Sequence, residues 1–320
     1  MTTRMEPNLK ICILAIAVIL CGCASTSTFQ VDSAVAIAPY TIADGGRIVV
    51  DVRVNGQGPF HFALDTGASI SVVFDSLRQE LELEAVAGES VLIHGLVSTG
   101  RYPLLRISRL QVGRETWVDP RIVSLPGETA AGAEIDGILG IDFLRNYAVG
   151  FSVEDRVLRL YPPDQVSDSS YRGWVSVPLE PTNIADRGTV LYLLEIEIDG
   201  EKVPALFDLG AGLNMLNWPA ARFLHLVPKD PKRRQLLSGV LENTPVVARF
   251  NAREVKTAGI RWEKEVFLVA DLTIFATLQK DESPFVILGS GLFNQRDFMI
   301  DFVRNRLLVK TSMDEVDTPW

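Results

Sequence analysis

Apolar and polar residues alternate along two stretches of this chain, and the two stretches resemble each other. In the first, which begins at Arg47, Ile48, Val50, Val52 and Val54 alternate with Asp51 and Arg53. In the second, which begins at Leu191, Leu194, Ile196 and Ile198 alternate with Glu195 and Glu197. A period of two is that of a strand with one face buried. Each run leads into a dipeptide that favours a tight hairpin turn, Asn55-Gly56 and Asp199-Gly200. Each predicted return strand then ends on an acid, Asp65 in "HFALDTGAS" and Asp208 in "ALFDLGAG". A carboxylate carried inward by a strand is costly unless it is paired or hydrogen-bonded. A little further on, Asp75 and Asn217 suit the N-caps of short helices.

The matching extends beyond the hairpins. "GILGIDFL" (137–144) recurs as "VILGSGLF" (286–293), and "VEDRVLRL" (153–160) recurs as "VRNRLLVK" (303–310), a hairpin in each half. Asp65 and Asp208 are 143 positions apart, Gly140 and Gly289 149, and Arg156 and Arg306 150. A nearly constant offset with a small insertion is what duplication of one domain leaves. Two copies are too few for a solenoid, so they predict two lobes facing each other. Pro162-Pro163-Asp164, running into Ser167-Asp168-Ser169-Ser170, reads as the linker. That divides the chain into lobes at 23–165 and 166–320.

Composition narrows the function. A chain of 320 residues is long enough for two domains, and 47% hydrophobic with 22% charged residues describes a globular protein. A formal net charge of -9 argues against a nucleic-acid partner. His61, His94 and His225 are isolated and lack metal-ligand spacing, so no metal is expected. Leu288-Gly289-Ser290-Gly291-Leu292 is not a nucleophile elbow, and no Gly-rich phosphate loop or zinc-protease helix occurs. No cofactor is expected.

The N-terminus reads as a processing segment. Arg4 and Lys10 precede an apolar stretch, Ile11 to Leu20, too short to span a bilayer. It ends in Leu20-Cys21-Gly22-Cys23, which resembles a bacterial lipobox. The resemblance implies a signal peptide at 1–22, lipid on Cys23 and a membrane-anchored protein facing the periplasm. Ala24, where an aspartate would favour the inner membrane, favours the outer one. The other reading is an ordinary secretory signal cut near Ala24. With Cys12 and Cys21 removed and Cys23 acylated, the mature chain keeps no thiol to pair.

Asp65-Thr66-Gly67-Ala68-Ser69 at a strand end, followed some 70 to 80 positions later by Ile138-Leu139-Gly140, resembles a retropepsin-like aspartic protease domain. Two such domains in one chain resemble the pepsin arrangement. The resemblance implies an all-β fold of two β-barrel lobes related by a pseudo-twofold axis, a monomeric pseudo-dimer. It implies a polypeptide substrate hydrolysed by water that an Asp65/Asp208 dyad activates. Thr66, Gly67, Gly210, Gly140 and Gly289 would support the dyad, with the Thr66 hydroxyl bonding across the lobes. Ser69 and Gly95 would face substrate. "IHGLVSTGRYPLL" (93–105), with turn points at Gly95 and Gly100, would be the flap over the cleft, and "LSGVLENTPVV" (237–247) its counterpart. Tyr102 would either face substrate or pack within the flap.

The second half departs from the family pattern. It reads Asp208-Leu209-Gly210-Ala211-Gly212, with leucine where the family has threonine or serine. Leu209 has no hydroxyl, so Thr66 is expected to lose its mutual partner. Two alternatives to an active endopeptidase therefore stay open: a pseudoprotease that binds extended polypeptide without cutting it, and an envelope scaffold.

Overall fold

A computed structural model describes residues 33–43, 45–94, 99–127, 135–171, 173–184, 189–226, 236–238, 243–245, 248–270 and 272–311. The stretch Ile11 to Leu20, the lipobox, Cys23 and Gly95 lie outside the described residues. Among those described, no helix is long and apolar enough to cross a membrane.

The architecture is the expected one: mostly β, in two lobes built to one plan. In the first lobe the strands Ile48–Val54 and Gln57–Leu64 form the predicted hairpin. Asn55 and Gly56 take φ of 52° and 86°, and Asp199 and Gly200 of the second hairpin take 50° and 98°. Positive φ at both central residues is the turn whose twist suits a two-residue hairpin. The turn acids and amides are used alike in both lobes. Asn55 Oδ1 accepts from the Ser108 and Arg109 backbone N–H groups, and Asp199 Oδ1 from those of Arg253 and Glu254.

Behind each aspartate strand runs the strand of the Ile-Leu-Gly motif. Gly137–Leu139 pairs parallel with Gln57–Leu64 and antiparallel with Val72–Phe74. Val286–Gly289 does the same with Glu201–Asp208 and Asn214–Leu216. These strands are buried on both faces, which is why they read as continuous apolar runs.

The lobes are joined by six strands at one end of a larger sheet, ordered Trp174–Pro178, Arg306–Lys310, Phe298–Asp301, Ala148–Ser152, Val157–Tyr161, Ala36–Ile42. At the centre of the six, Ala148 pairs with Asp301 and Phe151 with Phe298, antiparallel. Each central strand thus meets its own repeat counterpart, as a twofold axis demands. The Phe151 and Phe298 rings stack there with centroids 4.3 Å apart. The linker is more ordered than its composition suggests. Residues Pro163–Gln165 and Asp168–Tyr171 form 3-10 turns. Val166 and Tyr171 are buried against Tyr161 of one lobe and Met299 and Leu308 of the other.

One N-cap expectation holds and one is corrected. Asn217 caps Trp218–Phe223, its side chain accepting from the Ala220 N–H at 2.8 Å. Asp75 is not a cap: it is the first residue of Asp75–Glu80, after Phe74. Its carboxylate accepts from the Ser124 hydroxyl and faces Arg78. A strand partner took the oxygen that would have capped the helix.

Candidate active site

The two aspartate strands end at the junction of the lobes, and each chain turns sharply there through its glycine loop. In each loop one carboxyl oxygen is held by backbone. Asp65 Oδ1 accepts from the Gly67 and Ala68 N–H groups at 2.8 and 2.9 Å. Asp208 Oδ1 accepts from Gly210 and Ala211 at 2.9 and 3.2 Å. Across the junction each carboxyl lies against the glycine of the other lobe's loop, Asp208 against Gly67 and Asp65 against Gly210. Asp208 is only 6% exposed, whereas Asp65 is half-buried.

Burial governs the titration of the pair. It raises the Asp65 pKa, against the pull of the Gly67 N–H, the Asp208 hydrogen bond, the Arg47 guanidinium and the Ala68 N–H. Asp208 is raised well above the ordinary carboxylate value, first by burial and then by the neighbouring Asp65 charge. Two carboxyls this close do not readily both ionise, so the pair titrates as a unit that shares a proton.

The close approach explains both glycines. A β-carbon at Gly67 would lie 2.8 Å from the Asp208 carboxyl, and one at Gly210 would run into the Asp65 carboxyl. Each lobe's glycine thus makes room for the other lobe's acid. Gly140 and Gly289 do the same behind the loops. A β-carbon there would lie 2.7 Å from the Ala68 carbonyl oxygen or 2.6 Å from that of Ala211. The residues after them tie the loops down: the Ile141 N–H donates to Ala68 O and the Ser290 N–H to Ala211 O, both at 2.8 Å.

Thr66 corrects the expectation that leucine at 209 would strand it. The Thr66 hydroxyl donates to the Phe207 carbonyl at 2.8 Å and accepts from the Leu209 N–H at 2.9 Å. Both partners are backbone, so the side chain at 209 does not affect them. What leucine removes is the reverse pair of bonds, from position 209 to the first lobe. Leu209 is instead fully buried in the apolar core with Phe207, Leu288 and Phe293.

Of the remaining candidates, Ser69 is half-buried in the first loop. The segment expected to be the flap lies in a hairpin of Ala85–His94 and Thr99–Leu105, with Ile93 paired to Gly100, and Gly95 falls outside the described residues. Tyr102 packs against the apolar cluster of Val72, Phe74 and Leu104, which is the packing alternative. The counterpart hairpin is a separate two-stranded sheet, Leu236–Ser238 with Asn243–Pro245. His61 is exposed and faces Asp51 at 3.7 Å, and no metal-binding cluster occurs among the described residues.

Several supporting residues escaped the sequence reading. Ser71 donates to Asp142 at 2.7 Å and accepts from the Gly140 N–H at 3.0 Å. In the second lobe Asn214, at the same 143-residue offset, accepts from the Gly289 N–H at 3.0 Å. The repeat offset was the signal that would have paired them. Arg47 reaches across the lobes to the Gly210 carbonyl, and nothing in the motif announces it.

No curated protein matches the chain. The aspartyl protease family does, over residues 50–143 and again over 194–292, the segments that carry Asp65 and Asp208. With the match covering more than half of the chain, in two copies on the two lobes, this protein belongs to the aspartyl protease family.

Proposed function

We propose that the protein is an aspartic endopeptidase whose catalytic dyad is Asp65 and Asp208. The observation that carries the reading is the approach of two carboxyls, one from each lobe, at the lobe junction, each packed on the glycine of the other's loop. Asp65, the more exposed member, takes a proton from the attacking water. Asp208, which holds the shared proton, donates it to the peptide carbonyl oxygen as the tetrahedral centre forms. The substrate is an extended polypeptide lying between the dyad and the 85–105 hairpin. The proposal includes export: lipid on Cys23 anchors the enzyme to a membrane, facing the periplasm. Cys23→Ser should then release it to the soluble fraction or leave it unprocessed.

Asp65→Asn and Asp208→Asn should each abolish cleavage of an unfolded protein while the fold is kept. Because the two acids act as one unit, the double variant should be no worse than either single one. A wild-type protein that binds extended peptides and cuts none would assign the cleft to binding instead. Activity that survives Asp208→Asn would remove the intramolecular dyad.

A further inference from the structure

The second loop departs from the motif at two places, Leu209 and Gly212, and the same piece of the first lobe lies against it. That piece is the 43–47 turn, which joins Ala36–Ile42 to Ile48–Val54 and is closed by hydrogen bonds between Ala43 and both Gly46 and Arg47. Asp44 within it lies outside the described residues. Gly45 and Gly46 have φ of 87° and 91°, a conformation that suits glycine and carries the turn over the second lobe.

Four contacts fasten it there. The Arg47 Nε–H donates to the Gly210 carbonyl at 3.1 Å. The Gly46 carbonyl accepts from the Ser290 hydroxyl at 2.7 Å and from the Asn294 amide at 2.8 Å. Gly212 packs so closely on Gly45 that a β-carbon at 212 would overlap the Gly45 carbonyl. Serine stands at the matching position of the first loop, Ser69. Its replacement by glycine in the second loop therefore has a cause: the turn occupies the space.

We propose that the 43–47 turn, through Arg47, is the second strut between the lobes, that it takes over from the hydroxyl position 209 lacks, and that Arg47 is a positioning residue for the Asp65–Asp208 pair. The strut is one-sided. Aligned on the two hairpin turns, the second-lobe counterpart of Arg47 is Leu191, which is buried and has no charge to offer. Thr66 holds the second loop on the side of Phe207 and Leu209, and Arg47 holds it at Gly210, two residues beyond Asp208. The guanidinium also biases the pair. Among the described residues, the charged or titratable groups acting on Asp65 are Asp208 and Arg47, and Arg47 favours the ionised form.

The proposal rests on the peptidase reading for its catalytic consequence, so its test has a readout that needs no turnover. In the full chain, the Asp65 carboxyl carbon is followed by NMR against pH in wild type, Arg47→Met and Arg47→Lys. In parallel, kcat and KM are measured against pH on an unfolded protein. In Arg47→Met the Asp65 titration and the acidic limb of kcat should both move to higher pH. The kcat should fall about tenfold, with KM changed by less than about twofold. Arg47→Lys should return the titration toward wild type, because the charge is kept. Asn294→Ala, which loosens the turn without touching the charge, should lower kcat and leave the limb in place. Arg47→Gln serves the same titration should the methionine variant not fold. A titration that coincides in wild type and in the uncharged variants overturns the proposal, as does an Asn294→Ala enzyme with unchanged kcat. A wild-type protein that never cuts, but whose Asp65 titration moves as described, would remove the peptidase reading and leave the positioning role standing.

Discussion

The Thr66 hydroxyl accepts the backbone N–H of Leu209 at 2.9 Å, across the lobe junction and 143 positions along the chain. Because it also donates to the Phe207 carbonyl, one side chain satisfies two buried backbone groups on either side of Asp208. Thr66→Val keeps the shape and strands both groups. Leaving buried polar groups unsatisfied costs roughly 1–3 kcal/mol each, so a loss of about 2–6 kcal/mol is expected in denaturant unfolding. Cleavage should fall as well, and Thr66→Ser should recover most of both. A Thr66→Val protein as stable as wild type would show that the bonds contribute nothing net.

Leu209→Thr tests the missing half of the grip. A hydroxyl there can reach the Thr66 N–H and the Leu64 carbonyl, the groups that mirror those Thr66 itself engages. The substitution also removes apolar bulk from a fully buried site, a loss of about 2 kcal/mol or more before any hydrogen bond is gained. Activity should stay equal or rise while thermal stability stays level or drops slightly. A large fall in kcat with the fold intact would mean that leucine is required for packing the loop.

Gly210→Ala should be inactive. Its methyl group would meet the Asp65 carboxyl, which the Gly67 and Ala68 N–H groups hold in place, so the acid or the loop must shift. Gly67→Ala places its methyl 2.8 Å from the Asp208 carboxyl and should be nearly as damaging. Unfolding measurements alongside activity would separate a displaced dyad from a collapsed lobe.

The dyad should also make itself felt in stability against pH. Burial raises both acids, so above the ordinary carboxylate value of 3.8 the folded chain binds more protons than the unfolded one. Stability contributed by this pair therefore falls as pH rises from that value through the raised pKa. Asp208→Asn removes the need to hold a proton or bury a second charge. Its stability relative to wild type should increase from about pH 4 to about pH 8, read as urea midpoints across that range. A constant difference would contradict the raised pKa.

Much of this arrangement was legible in the chain because it depends on local rules repeated twice. The alternation from Ile48 and from Leu194, the Asn55-Gly56 and Asp199-Gly200 turns, and the two Ile-Leu-Gly-like segments each report a backbone geometry that few sequences satisfy. The duplication located Asp208 even though the motif around it had changed. Pairings between side chain and distant backbone were not legible. Thr66 seemed to need a hydroxyl partner, yet it uses main-chain atoms that every residue carries. Arg47 looked like one more polar position before a strand, and only the docking of the 43–47 turn on Gly210 and Gly212 gives it a role. Asp75 matched the composition of a cap, but the strand beside it supplied Ser124 first.

The antiparallel pairing of Ala148–Ser152 with Phe298–Asp301 places two copies of one ancestral strand face to face within a single covalent chain. In an assembly of two identical subunits, any substitution near the axis would occur twice, so losing a hydroxyl would remove the grip from both sides at once. Joining the halves changes that stoichiometry. Threonine stands at 66 but leucine at 209, and serine at 69 but glycine at 212. One half can thereby receive what the other extends, and the two acids, at matching positions of the repeat, occupy unequal surroundings.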